Sequence, residues 1–252
     1  MWTRPASPRL STTLPAALTL LFAISSISCE RGDIVNYGEA RKRMVEREIV
    51  AKGIEDQRVI NAMLKVPRHL FIPEEHMHYS YYNLPVPIGY GQTISSPFIV
   101  ALMTQELELK KSDRVLEVGT GSGYQAAVLA EIAAEVYTVE IIEPLAKAAE
   151  KRLKELKYDN VTVVLGDGYW GYPEESPYDK IVVTCAPEEI PEPLVEQLAD
   201  GGIMVIPVGP AGFQYLIKVK KDGDDIEIEK VTPVSFVPLT GEHEETRDEG
   251  QN

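Results

Sequence analysis

Residues 114–125 read RVLEVGTGSGYQ. The apolar run Val115, Leu116 and Val118 breaks into Gly119, Gly121 and Gly123, with Glu117 just ahead of the first glycine. A helix-forming stretch from Ala126 to Ala133 follows. Strand, tight glycine turn and helix start, in that order, let the backbone approach a nucleotide-like ligand closely. The spacing is G-x-G-x-G. Tyr124 stands where the G-x-G-x-x-G of a dinucleotide site has its third glycine. Glycine turns also serve plain strand–helix packing, so the loop has to be read with the rest of the chain.

Downstream the pattern alternates. Strands are expected at 114–118, 136–140, 161–165, 180–184 and 202–207, with helices at 122–133, 144–157 and 191–199 between them. Short apolar runs separated by helices imply a parallel sheet covered on both faces. Tyr215–Lys220 and Ile226–Val231 are strand-like runs joined through Asp222-Gly223-Asp224, a hairpin signal. The expected fold is therefore α/β: a Rossmann-like, mostly parallel sheet ending in an antiparallel hairpin. Upstream, Tyr37–Lys52 carries Met44, Val45, Ile49 and Val50 at helical spacing and ends at Gly53. Asp56 can cap a second helix through Leu64, with Val59, Ile60, Met63 and Leu64 inward, until Pro67 stops it. Residues 70–92, rich in Pro, Tyr, His and Gly, read as irregular. Ser96-Pro97 predicts an N-cap and first helical residue for a helix to about Leu107.

Bulk properties narrow the function. With 252 residues, 44% of them hydrophobic, the chain suits one globular domain with extensions. A net charge of −14 argues against binding a phosphate backbone, so nucleic acid is not the expected partner. Cys29 and Cys185 are the only cysteines, too few for a disulfide framework or a cysteine-based zinc site. His69, His76 and His78 lack metal-ligand spacing, and no metal is expected. Residues 1–29 differ from the rest: Arg4 and Arg9 are the only charges, and Leu14–Ile27 is nearly all apolar or small. That reads as an export signal rather than a membrane span. Cys29 after Ser28 resembles a lipoprotein processing site and would allow membrane anchoring, although Ser26 stands where leucine is usual. The other reading starts translation downstream, for example at Met44. The domain expected is 30–241, divided into a helical and substrate-side segment at 34–110 and a cofactor-binding core at 114–241. The acidic tail 242–252 is expected to be disordered.

Three acids fall at expected strand ends, where parallel sheets bind ligands: Glu117, Glu140 in VYTVE and Asp167 in VVLGDG. Glu140, about twenty residues past the first glycine, can accept both ribose hydroxyls of a nucleoside. Asp167 can meet an adenine amino group, with Gly166 and Gly168 letting the backbone turn. Glu117 either orients the loop or reaches an amino group. An acid at the strand end followed by G-x-G-x-G resembles the S-adenosylmethionine loop of class I methyltransferases.

The resemblance sharpens outside the loop. The stretches VPRHLFIP (66–73), LPVPIGYGQTIS (84–95), VLEVGTGSGYQ (115–125), GDGYWGYPEESPYDKIVVTCAP (166–187), LVEQLADGGIMVIPVG (194–209) and FVPLTG (236–241) resemble the protein-L-isoaspartate O-methyltransferase family. GQTIS and VPLT are not general methyltransferase features. The resemblance implies a metal-free repair enzyme that methylates the α-carboxyl of L-isoaspartyl residues in proteins and peptides, using S-adenosylmethionine. It implies Ser95 as the active-site serine, with Thr93 and Ile94 lining the same pocket. Thr240 is similar to the family's late substrate-side threonine, and equally reads as a plain strand-end residue. The expected cofactor set is Thr93, Ile94, Glu117, Gly119, Thr120, Gly121, Gly123, Glu140, Asp167 and Gly168; Ser95 and Thr240 are expected on the substrate side.

The chemistry is consistent with that residue set. A carboxylate is already anionic at neutral pH, so no strong base is needed. The site has to desolvate and align it. Ser95 is therefore assigned an orienting role, and no G-x-S-x-G elbow surrounds it. Cys185 reads as a small buried hydrophobe. Tyr79, Tyr81, Tyr82 and Tyr90 either cover a peptide groove or pack a lid. A methyltransferase for another carboxylate acceptor and an exported binding protein without catalysis are the alternatives; a nicotinamide oxidoreductase ranks behind them. A monomer is expected. Cofactor supply favours the cytoplasm, whereas the leader favours export.

Overall fold

The structure, a computed structural model, describes residues 36–241. The leader, Cys29 and the acidic tail lie outside the described residues. Helix α1 (Tyr37–Met44) opens the fold and passes into a wider π turn over Val45–Ile49 and a tight turn over Val50–Lys52. The change of period rotates Val50 outward, leaving it 45% exposed, whereas Met44, Val45 and Ile49 are buried as the helical spacing predicts. Gly53, at φ +96°, ends the segment. Tyr37 stacks on His69 at 4.1 Å, so a chain beginning at Met44 would lose a helix that packs on the fold.

Asp56 caps α2 (Gln57–Lys65) by accepting from the Arg58 N–H at 2.8 Å, as expected. Val59, Ala62 and Met63 are its buried residues, with Ile60 and Leu64 half-buried beside them. The stretch read as irregular holds two tight turns, Arg68–Phe71 and Glu74–Tyr79, and then a two-stranded antiparallel ribbon, β1 (Val86–Gly89) and β2 (Gln92–Ile94). Its short strands and prolines hide the ribbon from periodicity. Helix α3 (Pro97–Glu106) follows with Pro97 first, but the Ser96 side chain makes no capping bond. Asn83 does that job from a distance: its Oδ1 accepts from the Phe98 N–H at 3.0 Å.

The main sheet comprises β3 (Arg114–Val118), β4 (Glu135–Glu140), β5 (Val161–Leu165), β6 (Tyr178–Val183), β7 (Leu198–Val208), β8 (Gln214–Asp222) and β9 (Asp225–Val234). Between them run α4 (Tyr124–Ala130), α5 (Glu143–Glu155) and α6 (Glu192–Gln197). The strand order is β5-β4-β3-β6-β7-β8-β9. The first five positions pair in parallel, and β7/β8 and β8/β9 pair antiparallel. The hairpin turns at Gly223, φ +62°, with Asp222 opposite Asp225. Strand β7 starts four residues before the expected 202 because Gly201 and Gly202 sit in a bulge between its pairings Tyr178↔Leu198 and Lys180↔Ile203.

Alternation along β3 splits its side chains between two apolar layers. Val115 packs with the layer of α2, α3 and α4, whereas Leu116 and Val118 pack with the layer of α6. Burial on both faces explains the near-continuous apolar runs, and each fully buried Leu or Val contributes roughly 1.5–3 kcal/mol. The chain builds outward from β3 to β5, then returns to place β6 beside β3. The switch point therefore lies between the carboxyl ends of β3 and β6, where open parallel sheets bind ligands.

Candidate active site

At that switch point lies a solvent-open cleft of about 570 Å³. Val118, Gly119 and Gly121 line one wall, Glu140, Ile141 and Ile142 another, and Thr184 and Cys185 a third. The glycine loop is held tightly. The Gly119 and Thr120 N–H groups both donate to the Val139 carbonyl, at 2.8 and 3.2 Å. Gly119 has φ +95°, and a Cβ there would sit 2.5 Å from Thr184 Oγ1. Gly168 is crowded in the same way, since its Cβ would run into the Val118 side chain. These glycines keep the cleft floor at backbone level, which is what close ligand approach requires.

Glu140 ends β4 and is nearly buried. One carboxylate oxygen accepts from the Gly121 N–H at 2.8 Å and the other from the Ile142 N–H at 2.9 Å. It ties the loop to the β4–α5 turn while lining the cleft. Glu117, in register with Thr138 two residues before Glu140, faces the same layer and is fully buried. Its Oε2 accepts from Thr138 Oγ1 at 2.6 Å, and Thr138 in turn meets Thr120 Oγ1 at 2.7 Å. Its Oε1 has no partner among the described residues. Burial, opposed by the Thr138 hydroxyl and reinforced by the charge of Glu140, pushes Glu117 up to about 8.

Beside the cleft lies a second pocket of about 490 Å³, lined by Pro85, Ser95, Ser96 and Ile99 from one side and Val234–Val237 from the other. A smaller cavity beneath the loop is bordered by Ile94, Ser95, Glu117 and Thr120. Thr93 and Thr184 line all three spaces. Thr184 Oγ1 donates toward the Val118 and Gly119 carbonyls, at 3.0 and 2.6 Å, so this wall is locked to the glycine loop.

Some expected residues stand elsewhere. Gly123 lines none of these spaces; at φ +84° it starts α4, and its α-carbon faces Ala149 and Leu153 of α5. Asp167 is not on the cleft wall, where its neighbour Gly168 is; one of its oxygens accepts from the Tyr169 N–H at 2.9 Å, and Gly241 crowds the carboxylate. Thr240 lines the larger cleft and not the pocket of Ser95. Cys185 is a cleft wall as well as a buried apolar residue, with burial pushing its thiol up. Thr184 and Arg68 carried no local signal in the sequence: a strand-end threonine and a proline-flanked arginine are ordinary residues until distant segments meet them. His69 is occupied by Tyr81, whose hydroxyl lies 2.8 Å from its Nδ1. Among the described residues no group of three or more His, Cys, Asp or Glu is placed to hold a metal ion. Among them, too, no helix is long and apolar enough to cross a membrane.

A glycine-floored cleft at a switch point suits a dinucleotide or a methyl donor. Two features decide between them. The antiparallel β8 and β9 extend the parallel sheet, and a buried carboxylate with an unpartnered oxygen lies under the loop, which suits a cationic ligand. The fold and cleft are those of a Rossmann-like, class I S-adenosylmethionine methyltransferase. Comparison with known proteins narrows the class. The model of the protein-L-isoaspartate(D-aspartate) O-methyltransferase (PCMT) family matches residues 39–244. The chain is similar to the protein-L-isoaspartate O-methyltransferase of Dictyoglomus thermophilum, 54% identical over 211 residues, 84% of this chain and 96% of that one. It is 48% identical over 224 residues to the protein-L-isoaspartate O-methyltransferase 2 of Shewanella sediminis, 88% and 92% of the two chains. A Plasmodium falciparum structure described as a beta-aspartate methyltransferase (PCMT) in complex with S-adenosyl-L-homocysteine matches with TM-score 0.70 and 30% identity, over 79% of this chain and 98% of that one. The chain belongs to the protein-L-isoaspartate(D-aspartate) O-methyltransferase family.

Proposed function

We propose that this enzyme methylates the α-carboxyl of L-isoaspartyl residues in damaged proteins and peptides, with the larger cleft holding the cofactor and the Ser95 pocket holding the acceptor. S-adenosylmethionine supplies a methyl group on a positively charged sulfur, an electrophile that needs no further activation. The observation that carries the assignment is the contiguity of the two spaces: Thr93 and Thr184 line both.

The residues of the chain divide the work. Gly119 and Gly121 expose the loop backbone. Glu140 receives the ribose hydroxyls, each oxygen keeping acceptor capacity beyond its backbone bond. Glu117, which borders the smaller cavity beneath the loop, would hold the ammonium of the methionine portion with its unpartnered oxygen, and a nearby cation would favour its ionised form over the neutral form that burial favours. Gly168, with Asp167 behind it, borders the adenine end. Ser95 donates a hydrogen bond that aligns the acceptor carboxylate, and Ile99 and Phe236 limit its hydration. Thr240 closes the cofactor end.

Methyl transfer from labelled S-adenosylmethionine by purified residues 30–252 to matched isoaspartyl and aspartyl peptides tests the reading. Transfer to the isoaspartyl peptide alone is expected. No transfer, while a positive-control enzyme succeeds, refutes it; transfer only to small carboxylic acids selects the other-acceptor alternative. Mass spectrometry of the mature N-terminus, with cell fractionation, decides between a cytoplasmic enzyme and one cleaved before Cys29.

A further inference from the structure

Arg68 is a costly side chain to bury. It is fully buried, and no acid pairs with it among the described residues. Its Nη2 donates to the Ser95 carbonyl at 2.7 Å, across 27 residues of sequence. Its guanidinium lies over the Tyr124 ring, 4.8 Å from the centroid. Nε and Nη1 have no hydrogen-bond partner among the described residues. Burial lowers it only to about 10, so it stays cationic at neutral pH. A buried cation without a counter-charge destabilises a fold, and an apolar side chain of similar volume would pack there at lower cost.

What the arginine achieves is a link between the two halves of the site. Tyr124 is the first residue of α4, directly behind the glycine loop. Ser95 follows the ribbon, whose second strand ends at Ile94, and leads into α3, where the Ser96 hydroxyl makes no cap and Pro97 has no N–H. Ser95 and Tyr124 meet at the cavity beneath the loop. A planar guanidinium can stack on one partner and donate to the other at once, which a lysine cannot do.

We propose that Arg68 is a positioning residue that acts through the Ser95 main chain, setting the Ser95 hydroxyl at a fixed distance from the cofactor loop. The inference rests on the orienting role given to Ser95 above. Its test is a double-mutant cycle on the full chain with an isoaspartyl peptide, using Arg68→Met, Ser95→Ala and the pair, with cofactor affinity and thermal unfolding measured alongside. Arg68→Met is expected to lower kcat by about 10- to 100-fold, the scale of a misplaced aligning group, while cofactor Kd moves less than about threefold. In the Ser95→Ala background the same change is expected to cost less than about threefold, because the hydroxyl it positions is gone. Arg68→Lys keeps the charge and loses the stack, and is expected to recover only part of kcat. If Arg68→Met does not fold, Arg68→Lys replaces it in the cycle with the same non-additivity expected. Additive losses, or an Arg68 variant with wild-type kcat, overturn the proposal while leaving Ser95 intact. A Ser95→Ala enzyme with undiminished kcat overturns both it and the reading beneath it.

Discussion

The cleft proposed for the cofactor and the pocket proposed for the acceptor share walls but are built differently. The cleft takes its floor from the ends of β3, β4 and β6 and the turns just after them, with Gln92, Thr93 and residues 237–240 bordering it, and its loop is pinned by Val139, Glu140 and Thr184. The acceptor pocket joins the ribbon end and α3 to Val234–Val237, segments about 140 residues apart in the chain. Its polar ties come from distant segments: Arg68 donates to the Ser95 carbonyl, Asn83 accepts from the start of α3, and the Gln214 side chain both donates to the Phe236 carbonyl and accepts from its N–H. The ribbon tip Gly89-Tyr90-Gly91 has positive φ at all three residues, and Tyr90 is exposed. One half is thus pinned among neighbouring strand ends, and the other is tied by side chains that reach across the chain. Ordering of this kind before the ligand arrives lowers the cost of binding.

The contrast can be broken at the glycine loop first. Gly119→Ala forces a Cβ to 2.5 Å from Thr184 Oγ1 at φ +95°. With strain of about 1–3 kcal/mol plus the clash, cofactor affinity should fall roughly 100-fold and thermal stability should drop. Wild-type affinity by calorimetry would show that the loop is not the fixed platform described. Glu140→Ala is next. It removes the acceptor of two backbone N–H groups and the proposed ribose contact, so cofactor Kd should rise about 10- to 100-fold. At saturating cofactor kcat should change little. An equal loss in kcat would erase the separation between binding half and acceptor half.

Glu117→Gln tests the buried carboxyl through pH. Its folded value, about 8, lies above the ordinary 4.5, so its contribution to stability is complete below about 4.5 and is lost as pH rises through about 8. The cofactor-free variant should therefore unfold at a higher temperature than wild type at pH 8.5 and at nearly the same temperature at pH 4.5, while binding cofactor more weakly. A constant difference across that range would contradict a titrating Glu117. The smallest effect is expected at Asn83→Ala, which removes the distant cap of α3. A loss of about 1 kcal/mol in stability is typical for such a cap. KM for the acceptor peptide should rise a few-fold with cofactor Kd unchanged; a change in cofactor Kd alone would place Asn83 with the wrong half.

How much of this was legible before folding follows the same division. Glu117, Gly119, Gly121 and Glu140 could be found because strand, turn and helix signals sit side by side in RVLEVGTGSGYQ and VYTVE. The family resemblance added Ser95 and Thr93, which the structure brings against that loop. Gly123 lines none of the three spaces, and Thr240 lines the cleft of the glycine loop, not the pocket of Ser95, since adjacency in sequence is not adjacency in a pocket. The ribbon at 86–94 was missed because its strands of four and three residues are too short to show a period.

Local chemistry therefore settled the order of elements, the parallel core with its hairpin, and the glycine floor, because each depends on neighbours within a turn or a strand. The Thr184 wall, the remote Asn83 cap, the raised Glu117 and the buried Arg68 under Ser95 arose only on folding. Burial and hydrogen-bond partnership are sums over segments far apart in the chain, and no window of sequence contains them.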